Sequence, residues 1–278
     1  MGIYRGGYRT YTGPMLSPQT RFLVVAGLEF RRFFRQKWVR WLALLGCVPV
    51  VLFAAIVLVK VLVENMAAGA IPSLELLPKL LSAQLQFMAL LAAVAGAGLI
   101  AEDRAGNALL LYLARPLSPE RYAVGKLIAL VGLLALAYLV PAFLYVSLEL
   151  MVAAGGGAMH AVLRLLATLA TTSVHVLVTA LMVLALSSLG TRARYVGLSW
   201  IGIFYLSEIL AAVAGQALDA EWTAMFSLPG LYRKGAELLI EGRSDGALPF
   251  LILAFLGIGS ALFLRWRVMR LADAAEGQ

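Results

Sequence analysis

The chain has 278 residues, 62% of them hydrophobic and only 14% charged, with a mean hydropathy of +0.89. An ordinary soluble globule, roughly half apolar and a quarter charged, is excluded, as is a disordered chain, and Cys47 as the single cysteine excludes a disulfide scaffold. The net charge of +8 suits nucleic acid only when basic residues form one face of a soluble module; here they punctuate long apolar runs, so no nucleic-acid partner is expected.

Residues 1–19 mix Gly, Tyr, Arg, Ser and Pro without periodicity and read as a flexible cytoplasmic tail. A secretory signal is not expected, because eight Lys or Arg fall in the first 40 residues and the first long apolar run starts only near Trp41. Residues 20–40 show a helical pattern in which Phe30, Phe33, Phe34 and Trp38 share one arc and Arg31, Arg32, Arg35 and Gln36 the opposite one. Such a helix lies in the headgroup plane of membrane lipids. Val24, Val25 and Leu28 fall on the polar side, which leaves a plain extension of the first span as the alternative.

Six spans follow, at residues 41–62, 80–100, 127–151, 165–189, 195–217 and 249–264, forming a transmembrane domain over 41–264 and leaving 265–278 as a tail. The fold class predicted is an all-α polytopic membrane protein. With the N-terminus inside, 17 of the 23 Lys and Arg residues fall in cytoplasmic segments, which places both termini in the cytoplasm.

Two connections carry more pattern than a turn needs. In residues 101–122 a short apolar helix, drawn over residues 102–113 and lying across the span axis, ends before Pro116; a new helix starts with Ser118 as N-cap, Pro119 at its first position and Glu120 in its first turn. The loop over 218–247, on the outer side, has the same design: Ser227 before Pro229, an apolar stripe of Leu231, Gly235, Leu238 and Leu239, and a stop at Gly242.

Nucleotide hydrolysis by a phosphate loop is not expected, since the only Gly-Lys pair, Gly125-Lys126, is followed by Leu127 and lacks the earlier glycine. The two histidines, His160 and His175, have no cysteine near them, so no metal site is expected. Ionisable groups within spans are costly and are candidates for function by default: Glu208, His175 and Glu149. Glu208 serves either a translocation pathway or subunit contact, or is a partnered structural carboxylate. His175 alternatively donates to a helix carbonyl, and Glu149 alternatively reaches the interface. Ala92, Ala93, Gly96, Ala97 and Gly98 form ridges suited to close helix packing.

The segment GLIAEDRAGNALLLYLARPLSPERYAVGKLIAL resembles the region after the second span in permease subunits of type-2 ABC exporters. The acidic residue, glycine, apolar turn, proline, serine, aromatic and Gly-Lys of that family fall on Glu102, Gly106, Leu109 to Leu111, Pro116, Ser118, Tyr122, Gly125 and Lys126. Asn107 and Leu117 stand where the family often has threonine and valine. The resemblance implies a homodimeric or paired permease in a bacterial inner membrane, not itself an enzyme, working with cytoplasmic ATPase subunits that hold ATP and magnesium. It makes the loop a coupling helix, with Glu102, Asp103, Arg104, Gly106, Asn107, Leu110 and Pro116 facing the ATPase. Residues 20–40, with Arg31, Arg32 and Arg35, become the connecting helix. An ATP-independent carrier using Glu208 for protons and a membrane assembly or scaffold protein are the competing functions.

The charge count makes one direct prediction: Ser244→Cys in a Cys47→Ser background is expected to react with a membrane-impermeant maleimide from the extracytoplasmic side. Labelling that requires opening the inner membrane would contradict the assigned orientation.

Overall fold

The computed structural model describes residues 20–67, 76–106, 118–152 and 158–276. The described residues form helices and contain no strand. In chain order they are α1 (Arg21–Arg35), α2 (Lys37–Leu45), α3 (Val48–Ala67), α4 (Leu76–Gly96), α5 (Gly98–Ala105), α6 (Pro119–Leu134), α7 (Val140–Val152), α8 (Ala158–Leu189), α9 (Ala193–Ile201), α10 (Ser207–Leu218), α11 (Leu228–Glu241) and α12 (Ala247–Glu276). Among the described residues six stretches are long and apolar enough to cross a membrane: Lys37–Val63, Leu76–Ala105, Pro119–Met151, Ala161–Leu189, Ala193–Leu218 and Ser244–Asp273. The chain is a multi-pass helical membrane protein, and its spans run beyond the apolar cores seen in sequence because polar turns at their ends stay helical.

The second and fourth spans are mostly buried, whereas little of the first, fifth and sixth is buried. Exposed faces carry large apolar side chains, among them Val51, Leu52 and Val59 on α3 and Leu251, Phe255 and Ile258 on α12. Such faces suit lipid as solvent, and close packing inside the bundle must come from shape. A Cβ on Gly96 would stand 2.5 Å from Val183 Cγ1 and 2.9 Å from Leu130 Cδ2, so this glycine lets α4 approach both α8 and α6. Gly197 likewise brings α9 against the Ala93 carbonyl, and the Trp200 indole N–H donates to the Ala89 carbonyl at 2.9 Å.

Two spans are interrupted by one turn of π-helix, at Ala135–Leu139 between α6 and α7 and at Gly202–Leu206 between α9 and α10. Each bulge shifts the register of the side chains that follow and is a feature common at functional sites. Helix starts obey local chemistry: Ser118 accepts the Arg121 N–H and Pro119 opens α6, while Ser227 accepts the Gly230 N–H and Gly242, at φ +69°, stops α11. Gly96→Leu is expected to lower the thermal transition of the purified protein by an amount equivalent to about 1–3 kcal/mol, as overpacking does. An unchanged transition in detergent would show that the helices part there at no cost.

Candidate functional site

The densest group of buried charge joins α1, α5 and α6 at one end of the bundle. The Lys126 ammonium, fully buried in the second turn of α6, lies 2.5 Å from Glu29 Oε1 and 2.7 Å from Asp103 Oδ2. Tyr122, one turn earlier on α6 and also fully buried, donates its O–H to Asp103 Oδ2 at 2.7 Å. One cation thus holds carboxylates from two other helices. Removing a single partner from such a group strands a buried charge, which is far costlier than the net worth of the pair.

A second layer extends toward the surface. The Arg32 guanidinium pairs with Glu102 and lies 3.7 Å from Glu29, so α1 grips both the buried carboxylate and the end of α5. Burial works against the Arg32 charge, but the hydrogen bond to Glu102 and the charges of Glu29, Glu102 and Asp103 outweigh it and hold its pKa above the ordinary arginine value. Arg104 donates to the carbonyls of Ser188, Leu189 and Gly190 at 2.8–3.1 Å, closing the open end of α8. The Ser187 hydroxyl donates to the Ala97 carbonyl and accepts the Ile100 and Ala101 N–H groups where α4 gives way to α5.

These contacts place Glu102, Asp103 and Arg104 in α5, at the end of the second span, which Gly106 caps; the span therefore runs past residue 100 to Ala105. The physical reason is that their charges are neutralised in place by Arg32, Lys126 and the carbonyl end of α8. Asn107, Leu110 and Pro116, with the remainder of the expected transverse helix, lie outside the described residues. Arg31 and Arg35 are exposed.

The face of α1 against the bundle also differs from the aromatic arc. Val25, Ala26, Glu29 and Phe33 are buried, while Phe34 and Trp38 are exposed. Gly125 admits this contact, since a Cβ there would meet the Phe22 carbonyl at 2.8 Å and Val25 Cβ at 3.0 Å. Glu29 was missed by sequence reasoning, and Lys126 entered it only through the Gly-Lys pair. The available signal was a lone carboxylate in a basic helix, on a stripe with Val25 and Phe33.

The other sequence candidates have partners of their own. Glu208 pairs with Arg233 at 2.7 Å and accepts the Ser227 hydroxyl at 2.6 Å, so it fastens the start of α11 to α10. Glu149 pairs with Arg164 at 3.1 Å. His175 is buried, with Nδ1 3.0 Å from the Tyr138 hydroxyl and its ring edge-on to Tyr232 at 4.6 Å. Glu208 and His175 therefore do not join the charged group around Lys126. Among the described residues no cluster of His, Cys, Asp or Glu is arranged to hold a metal ion.

No protein-family model matches this chain, and no curated protein matches it.

Lys126→Met is expected to destabilise the protein by about 3–5 kcal/mol, the usual cost of orphaning a buried ionic partner. Combining it with Glu29→Gln is expected to recover part of that loss. Denaturation in detergent micelles measures both; equal stability of the single variant and the parent would show that the carboxylates find solvent.

Proposed function

We propose that the chain is the membrane-spanning permease subunit of a type-2 ABC exporter, working as a homodimer in a bacterial inner membrane with both termini in the cytoplasm. ATP and magnesium are held by a separate cytoplasmic ATPase. The observation that carries the reading is the ionic group joining α1, α5 and α6. It braces the two helices that flank residues 107–117, together with α1, into one unit at the same end of the bundle. A partner pressing on that segment would move the second and third spans as one body, through contacts that do not slip. The sequence resemblance around Glu102, Gly106, Pro116 and Gly125-Lys126 supports the same assignment, and six membrane-spanning helices accord with it.

In this scheme Lys126, Glu29 and Asp103 make the lever stiff, while Arg32 and Glu102 lie at its surface, about half exposed. An exposed pair of this kind contributes about 1 kcal/mol or less to stability. Its charge is better placed to meet the ATPase or to fix the angle between α1 and the coupling segment.

Coexpression with a cognate phosphate-loop ATPase is expected to give a stable complex, and the chain alone is expected to release no phosphate from ATP. Glu102→Arg is expected to lower transport-coupled ATP hydrolysis severalfold with little change in thermal stability, and Arg32→Glu combined with Glu102→Arg to restore much of it. Robust ATPase activity of the isolated chain, or normal coupling in the Glu102→Arg variant, would overturn the respective part of the proposal.

A further inference from the structure

A cavity of about 340 Å³ opens at the opposite end of the bundle, between α4, the π-turn before α7, α8 and α11. Its shaft is apolar, lined by Leu81, Leu85, Ala236 and Ile240. Tyr138, His175 and Tyr232 also line it. Its volume is at the lower end of the range for small-molecule sites, about 300–1,000 Å³. Lys79, near the start of the second span, and Arg233, Glu237 and Glu241, on α11, supply its charged lining. His175 stands midway along the fourth span, so the cavity reaches from the end of the bundle to its middle depth.

The wall at Tyr138 is built with care. Tyr138 lies in the π-turn Ala135–Leu139, and its hydroxyl meets His175 while the Tyr232 hydroxyl meets Thr179 at 2.9 Å. The phenols therefore have partners in the wall itself, and the aromatic rings and aliphatic chains are left to face an occupant. The charges are unequal in their engagement. Arg233 is held by Glu208 at 2.7 Å, and Arg243 sits 3.0 Å from Glu241 and 4.0 Å from Glu237. Burial, against the pull of Lys234 and Arg243, pushes the Glu237 carboxyl above its ordinary range, helped by Asp245 and Glu241. Lys79 is exposed and has no ion-pair partner among the described residues.

We infer that this cavity binds a single-chain anionic amphiphile, its apolar chain in the Leu81–Leu85–Ile240 shaft and its head group on Lys79. An anionic head answers Lys79, which is exposed and has no ion-pair partner among the described residues, and an apolar body answers the shaft. Small volume selects one chain or one compact ring system. The site lies within one chain and is separate from the ionic group around Lys126, so binding is expected in the absence of any ATPase and stands or falls apart from the exporter assignment.

The test is photolabelling of the full chain, without ATPase, in nanodiscs of phosphatidylcholine. The probe is dodecanoic acid carrying a diazirine at its chain end, and the control is the same chain with a trimethylammonium head; adducts are mapped by mass spectrometry. The expected result is labelling of Leu85, Tyr138 or Ile240, severalfold above the cationic control. Ser82→Phe and Ala236→Phe, which fill the shaft from two walls, are each expected to abolish it while the thermal transition stays near that of the parent. Lys79→Glu is expected to reverse the preference between the heads. Labelling that persists in both filled variants would mean capture on the lipid-facing surface and would overturn the site. Equal labelling by both heads, or a preference that survives Lys79→Glu, would overturn the anionic assignment.

Discussion

A lysine ammonium inside a helical bundle demands countercharge, and the arrangement at one end of this protein follows from satisfying Lys126. It cannot turn to water, because α1 covers it, and α1 can cover it only by presenting Glu29. Asp103 supplies the second carboxylate and is itself steadied by Tyr122. The docking of α1, the end of the second span and the start of the third are therefore one decision. Gly125 makes it sterically possible by letting the backbone of α1 come within contact of α6.

The far end of the bundle solves a similar problem with different parts. There α11 folds back over the spans, and its first turn is pinned by Ser227, which caps the helix and also donates to Glu208. Arg233 completes the pair one turn and a half later. Gly230 lies close enough to the Ala224 carbonyl that a Cβ would stand 2.1 Å from it, so the bend into α11 admits no side chain. The helix so placed closes one side of the aromatic-walled cavity. Charge at both ends and small residues in between hold a bundle whose outer faces are as apolar as its core, where the hydrophobic effect itself offers little direction.

Sequence and structure part company over which side chains the bundle covers. Glu208 stands out in sequence because it interrupts an apolar run, and the structure finds Arg233 and Ser227 around it. Glu29 does not stand out, since it sits among arginines in a segment that reads as amphipathic, yet it is buried more deeply. The exposed Phe34 and the buried Val25 and Phe33 on α1, with the exposed Trp38 just beyond it on α2, show the same thing: an aromatic arc and a docked face need not coincide when a neighbouring helix competes with lipid for the helix. In sequence Glu102 to Arg104 lie past the end of the second span at residue 100, but with Arg32, Lys126 and the end of α8 in reach they are part of it.

What the sequence alone determined is what depends on neighbours along the chain. The six long apolar runs, Ser118 with Pro119 at the start of α6, and Ser227 and Gly242 at the ends of α11 are all set by residues within a few positions of one another. Only the tertiary structure decided which charges meet. Glu29 and Lys126 are 97 positions apart, Arg32 and Glu102 are 70 apart, and Tyr138 and His175 belong to different spans. Hydropathy and helical period record that a residue is polar and which arc it occupies; they carry no information about the helix that will lie against that arc. That choice is made by shape, through glycines such as Gly96 and Gly125, and by the cost of leaving a buried charge alone.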